Sequence, residues 1–171
     1  MFMHKLRLVI VCGLVLVTCL LGSCIGVWSE TPQQQELLSK LRAVVEKKQH
    51  TDEEVILRLK DHTSFDWDRV YIFAPYTSTD QIDEALGYRW LRARSTGIEG
   101  TDRFYLIVFT SEGKVTDHLM YPTELGDLIY QYEKDQKLKG FNPDEAVFRA
   151  EIEYGGVVFR RLNKNRIDAN H

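Results

Sequence analysis

Cysteine is scarce in this chain of 171 residues: Cys12, Cys19 and Cys24 are its three cysteines, and none follows position 24. The rest of the chain therefore has no thiol for a disulfide, a thiolate metal site or a cysteine nucleophile. The chain also lacks a Gly-x-Ser-x-Gly nucleophile elbow, a phosphate-binding glycine loop, a dinucleotide fingerprint and an EF-hand loop. The sequence thus indicates no cofactor and no catalytic residues of a known pattern.

Paired histidines are missing as well. His50, His62 and His118 occur singly, without the His-x-His or His-x-x-x-His spacing of a metal site on one element. Basic residues do not dominate either, because 22 lysines and arginines stand against 25 aspartates and glutamates. We therefore expect no metal site, and neither a nucleic-acid partner nor a membrane-coating surface.

One long apolar run is present, and it lies at the start of the chain. Lys5 and Arg7 precede an uncharged, mostly aliphatic segment over residues 8–21, which leads into Leu21-Gly22-Ser23-Cys24. A run of this length is short for a bilayer crossing and typical of the apolar region of a signal peptide. The order of a leucine, two small residues and a cysteine resembles the lipobox of bacterial lipoproteins.

That resemblance implies that residues 1–23 are a signal peptide and that Cys24 becomes the acylated N-terminus. Residues 24–30 would form a short tether to the lipid bilayer, which reaches about 25 Å when extended at ~3.5 Å per residue. Cleavage removes two basic residues, so the mature chain has 20 basic against 25 acidic residues. Ile25 and Gly26 follow Cys24, so the chain lacks the aspartate after the cysteine that retains lipoproteins in the inner membrane of enteric bacteria.

The expected location follows from these features. The domain would face the periplasm from the outer membrane in a Gram-negative host, or lie on the outer leaflet of the plasma membrane in a Gram-positive host. The alternative is an uncleaved anchor helix, because residues 8–28 contain no charge and are long enough to span the hydrocarbon. Both alternatives place the domain on the same side, since Lys5 and Arg7 hold the N-terminus inside.

The remaining pattern predicts a single α+β domain over residues 31–162, followed by a frayed polar tail over 163–171. We expect an antiparallel sheet of hairpins with about three helices over one face, in the order α-β-β-α-β-β-β-α-β-β. Thr31, Pro32 and Gln34 mark the start of the first helix, with a capping box. Further helices are predicted from Ser78 or Thr79 to Gly87 and from Thr123 to Gly140. Strands are predicted over 54–60, 68–73, 88–94 and 104–109, then from the turn at Ser111-Glu112-Gly113-Lys114 to Tyr121, and over 146–154 and 157–162.

The best candidate for a partner-binding surface is the segment with three arginines beside two aromatic residues, Tyr88 to Arg94. Arginine and tryptophan are the residue types that dominate interface hot spots, which points to Arg89, Trp90, Arg92 and Arg94. The alternative is an edge strand whose arginines pair with the acidic residues of the preceding helix, Asp80, Asp83 and Glu84.

A second distinctive segment contains two carboxylates around a tryptophan, Asp66-Trp67-Asp68. Such a pair can bind a cation or a sugar or act in acid–base catalysis. We prefer the structural interpretation, in which Trp67 anchors the core and Asp66 caps a turn.

These observations favour a membrane-anchored, non-enzymatic binding or accessory protein of the bacterial envelope, with an envelope protein as its partner. One alternative is a module that binds a small ligand or the cell wall, with Trp67, Tyr71 and Tyr76 lining a groove. The other is a hydrolase whose site is assembled from distant residues.

Overall fold

A computed structural model describes residues 30–129 and 139–162 of the chain. The expected signal peptide over residues 1–23, Cys24 and the expected polar tail over 163–171 lie outside the described residues. The chain from Thr31 onward forms one compact unit. Its helices are α1 (Pro32–Gln49), α2 (Thr79–Leu86) and α3 (Ala93–Thr96), and its strands are β1 (Val55–Arg58), β2 (Arg69–Phe73), β3 (Phe104–Ser111), β4 (Lys114–Pro122), β5 (Asp127–Ile129), β6 (Val147–Glu153) and β7 (Gly156–Arg161).

Helix α1 begins as its sequence predicts. The Oγ1 of Thr31 accepts a hydrogen bond from the backbone N–H of Gln34 at 3.2 Å, and Gln34 Oε1 accepts one from the Thr31 N–H at 2.9 Å. This capping box satisfies two donors that the helix itself leaves unpaired. The buried face of α1 consists of apolar residues at helical spacing, namely Leu37, Leu38, Leu41 and Val45.

The strands form two sheets. The first has the order β1-β6-β7-β5 and the second the order β2-β3-β4. All neighbouring strands are antiparallel except β5 and β7, which run parallel. The hairpin from β3 to β4 turns at Glu112-Gly113, as expected, and the hairpin from β6 to β7 turns at Tyr154-Gly155, one residue before the predicted Gly-Gly pair.

The three-stranded sheet separates two apolar cores. One of its faces presents Val70, Ile107 and Phe109 to the main core, where α1 and the four-stranded sheet also contribute. The opposite face presents Phe73, Leu106 and Val108 to a smaller core that α2, α3 and the turn after α3 complete. The helices consequently cover both faces of this sheet, where the sequence suggested one.

The predicted α+β class with antiparallel hairpins is confirmed, in two sheets instead of one. The strand expected over 88–94 is wrong: the chain forms an irregular loop there and then the short helix α3. Gly87 ends α2 in the left-handed region, at φ 81°. The N–H of Trp90 then donates to the Asp83 carboxylate at 2.8 Å, so a side chain takes a donor that a sheet would need.

The helix expected from Thr123 is also wrong in its described part. A single helical turn over Thr123–Leu125 ends at Gly126, and β5 follows beside β7. Gly126 has φ 134°, and a Cβ there would collide with the carbonyl oxygen of Val157, so the close approach to β7 requires glycine. Residues 130–138 of the expected helix lie outside the described residues.

Candidate interaction surface

The loop between α2 and α3 carries the predicted partner-binding residues. We call residues 88–94 the arginine surface. Arg89, Leu91, Arg92 and Arg94 are exposed, whereas Trp90 is half-buried and Ala93 is buried. The side chains that the sequence singled out are therefore brought together on one short segment, with the charged groups in solvent and the indole against the protein.

The backbone of this segment is fixed from both sides. Besides the hydrogen bond from Trp90 to Asp83, the Ala93 N–H donates to the Trp90 carbonyl oxygen at 2.9 Å. Ala93 and Ile98 anchor the following turn in the smaller core, where they are 1% and 0% exposed. The glycines on either side of Ile98 thus belong to an anchored turn, and the arginine surface has a defined backbone on which to present its side chains.

The arginine surface lies against β4, one of the two edge strands of the three-stranded sheet. The Val115 N–H donates to the Tyr88 hydroxyl at 2.9 Å. The rings of Trp90 and His118 meet edge to face, with 5.4 Å between their centroids. These two contacts attach the loop to the strand at Val115 and at His118.

Side chains also occupy outward-facing backbone groups of β4. The N–H of His118 donates to Asp117 Oδ1 at 2.7 Å, and Gln34 Nε2 donates to the His118 carbonyl oxygen at 2.7 Å. Gln34 Nε2 also donates to Asp117 Oδ1 at 2.9 Å. An edge with such groups occupied is a poor template for another strand. The same hydrogen bonds connect the first turn of α1 to the strand on which Trp90 rests.

The arginines do not form the ion pairs that the alternative interpretation requires. Among the described residues, no carboxylate forms an ion pair with Arg89, Arg92 or Arg94. Of the three acids that the alternative names, Asp83 accepts a hydrogen bond from the Trp90 N–H, and the nearby Glu99 accepts one from the Thr79 N–H at 2.7 Å. Three hydrated guanidinium groups are therefore available for a negatively charged partner.

The pKa of His118 is affected by its burial and by two neighbouring charges. Burial lowers its pKa, the Arg92 charge lowers it further, and Asp117 opposes the shift. The imidazole is accordingly neutral near pH 7, which suits its ring contact with Trp90.

Large apolar side chains are exposed beside the arginines. Leu91 is 74% exposed and Tyr88 is 37% exposed. Tyr76 is 61% exposed, has a positive φ of 64°, and donates its N–H to the Ile98 carbonyl oxygen in the turn after α3. Exposed aromatic and aliphatic groups beside arginine are the composition of a binding surface.

The structure does not assemble the groove expected from the other aromatics. Trp67 is 8% exposed in the main core, its indole N–H donates to Thr63 Oγ1 at 2.9 Å, and its ring meets Phe109 edge to face. Tyr71 packs against the smaller core on the other face of the sheet. Trp67, Tyr71 and Tyr76 therefore share no surface.

The two carboxylates around Trp67 are not paired for chemistry either. Asp68 accepts hydrogen bonds from the Thr110 hydroxyl at 3.1 Å and from the Glu112 N–H at 2.6 Å, which fixes the β3–β4 hairpin. Asp66 lines a cleft of about 400 Å³ that does not include Asp68. The core role expected for Trp67 is confirmed.

The described ranges contain no group of three His, Cys, Asp or Glu side chains placed to hold a metal ion. In the same residues, no helix combines the length and apolar character needed to cross a membrane. Comparison with protein-family models, curated proteins and solved structures finds no match to the chain.

Sequence reasoning missed one exposed feature, the tip of the β6–β7 hairpin. Tyr154 is fully exposed at φ 50°, and Ile152 is 50% exposed. A Tyr-Gly pair between two alternating strands was the available signal, because such two-residue turns normally carry Asn or Asp before the glycine.

Proposed function

We propose that this chain is a lipid-anchored, non-enzymatic binding or accessory protein of the bacterial cell envelope, and that it binds a negatively charged envelope component through the arginine surface. The lipobox at Cys24 supports the anchor. The described residues support the binding role through one observation above all: three exposed guanidinium groups without ion pairs lie beside exposed Leu91 and Tyr88 on an anchored backbone.

The physical reason is that these exposed charges add nothing to the stability of the folded domain but can add to the free energy of binding. Each guanidinium already lies in water, so the folded domain gains nothing from its charge. A partner that supplies carboxylates or phosphates would form short, charge-assisted and bidentate hydrogen bonds with these groups. The same binding would remove apolar surface of the exposed leucine and tyrosine from water, which is favourable.

The anchor is tested by the Cys24→Ala substitution in cells. The variant should accumulate as the uncleaved precursor and lose the fatty-acid mass of the mature N-terminus. Normal processing and location of Cys24→Ala would contradict the lipoprotein assignment.

The binding surface is tested separately, by photo-cross-linking of the full-length protein in cells that produce it. A photoreactive residue at Leu91 should give an adduct with an envelope component, whether protein or lipid. The same residue at Lys47, which is exposed near the end of α1, is the control and should give little. The Arg89→Glu/Arg92→Glu/Arg94→Glu variant should lose the Leu91 adduct. Equal labelling from both positions would contradict the assignment of this surface.

A further inference from the structure

The two ends of α1 divide the domain into a tether side and a far side. The chain enters the domain at Thr31, and Gln34 in the first turn of α1 binds β4 at Asp117 and His118. Trp90 rests on His118 from the other side. Through these contacts the arginine surface lies on the side of the domain where the tether begins.

The hairpin tip lies on the far side. A groove of about 680 Å³ lies between the last turn of α1 and β6, and its lining includes Lys48, His50 and Ile152. The 18 residues of α1 separate its two ends by about 27 Å at ~1.5 Å per residue. The exposed Ile152 and Tyr154 consequently lie a helix length away from the entry of the chain, whereas the arginine surface lies close to it.

The tether is too short to move the tether side far from the bilayer. Residues 24–30 reach about 25 Å at most, at ~3.5 Å per residue. The anchored domain therefore meets the membrane at a high effective concentration, and even a weak contact would be occupied.

We infer that the arginine surface docks onto anionic phospholipid head groups of the membrane that holds the anchor. This inference rests on the lipid anchor of the proposed function and names the partner of the same surface. Arg89, Arg92 and Arg94 would bind phosphate oxygens through their guanidinium forks. Trp90 and Tyr88 are the residue types that prefer the level of the head groups, and Leu91 would enter the acyl boundary.

Two observations favour lipid over an envelope protein at this surface. The first is its position on the tether side, where the bilayer is the nearest large surface. The second is its size, because the arginine surface comprises residues 88–94 with Tyr76 nearby, whereas a protein interface of standard size uses roughly 20–30 residues a side. A bilayer needs no complementary shape, so a small patch of arginine and apolar groups suffices.

The test uses the mature, acylated protein, reconstituted through its own anchor into vesicles. Because Cys12 and Cys19 leave with the signal peptide and Cys24 carries the lipid, a Leu91→Cys substitution gives a single reactive thiol. This thiol is labelled with a fluorophore, and quenching by lipids with quenchers in their acyl chains is measured. The vesicles contain phosphatidylcholine alone or phosphatidylcholine with phosphatidylglycerol.

Strong quenching is expected in the vesicles with phosphatidylglycerol and weak quenching without it. Each arginine should contribute about fivefold to the ratio of docked to undocked protein, so Arg89→Glu/Arg92→Glu should remove most of the difference. The Arg42→Glu/Lys47→Glu variant reverses two other exposed charges and should leave it intact. Raising the salt concentration from about 0.1 M to about 1 M should also remove the difference, because the screening length falls to ~3 Å. A label at Ile152→Cys should show no quenching.

Equal quenching in both vesicle types, or quenching that is stronger at position 152, would overturn the inference. Absence of quenching at position 91, together with a protein adduct from Leu91 in cells, would also overturn it and would leave the proposed function in place. Normal processing of Cys24→Ala would instead remove the anchor, and thus the proposed function itself. A thermal melt of each variant establishes that the charge reversals have not unfolded the domain.

Discussion

Truncation of Trp67 provides the sharpest separation of core from surface in this domain. The side chain is 8% exposed and contacts Phe109 edge to face at 5.4 Å. A buried aromatic of this kind removes about 150–250 Å² from water, which at ~25 cal/mol per Å² corresponds to about 4–6 kcal/mol. This area figure is an upper bound, because alanine keeps its own methyl group buried and the unfolded chain already removes part of the ring from water, so Trp67→Ala should lower the free energy of unfolding by about 3–5 kcal/mol.

A denaturant titration of residues 31–171 measures this loss. Trp67→Phe keeps a ring against Phe109 but loses the hydrogen bond to Thr63, so it should cost only about 1–2 kcal/mol. The triple arginine-to-glutamate variant at positions 89, 92 and 94 is the surface control, and it should stay within about 0.5 kcal/mol of the wild type. A loss below about 1 kcal/mol for Trp67→Ala, or a larger loss for the arginine variant, would mean that core and surface were assigned the wrong way round.

Three further predictions follow from single groups. The buried Tyr121 hydroxyl has no hydrogen-bond partner among the described residues, so Tyr121→Phe should leave stability unchanged or raise it by about 1 kcal/mol, as chemical denaturation would show. Burial also raises the Tyr121 pKa above its ordinary 10.0, so in alkali the unfolded chain loses the hydroxyl proton first and the wild type loses stability. Tyr121→Phe has no hydroxyl proton to lose, so the variant should unfold at a higher pH. Burial likewise lowers the pKa of His118 below 6.5, so the unfolded chain takes up the imidazole proton first and stability should fall as the pH drops below 6.5. Denaturant titrations near pH 7 and about pH 5 should show a weaker dependence for His118→Gln. Part of the dependence should remain, because the pKa of His62 is lowered in the same way. Tyr154→Asn should raise the thermal midpoint, since asparagine tolerates the left-handed backbone of this turn at a lower cost, and a lower midpoint would show that the tyrosine ring stabilises the hairpin.

Local sequence patterns predicted the elements whose signals are self-contained. The capping box at Thr31, the apolar face of α1 and the Glu112-Gly113 turn each depend on residues a few positions apart, and all three formed. The fold class followed from the excess of hairpins over parallel crossovers. The division into two sheets did not follow, because it depends on which strands pair across the chain, as when β1 pairs with β6.

The two elements that were wrong share one cause, a contact with a residue outside the segment that overrides local propensity. Residues 88–94 have the aromatic content of a strand, but the Asp83 carboxylate takes the Trp90 N–H. Residues 123–129 have a helical apolar pattern, but Gly126 lets the chain approach the Val157 carbonyl and continue as β5. Neither contact is visible in a window of adjacent residues.

The composition of the arginine surface could be predicted from the sequence, but the exposure of its arginines without ion pairs among the described residues could not. Arginine and tryptophan in one heptapeptide suggested a binding role, but an edge strand with paired arginines fitted the same letters. The difference lies in the geometry of the loop, which turns Trp90 onto His118 and leaves its flanking arginines in solvent. The Gln34 hydrogen bonds join that same strand to the first turn of α1. The loop therefore presents three arginines, without ion pairs among the described residues, near the end of α1 at which the chain enters the domain. The departure from local propensity therefore coincides with the surface for which a binding role is proposed, as expected where function competes with regular structure.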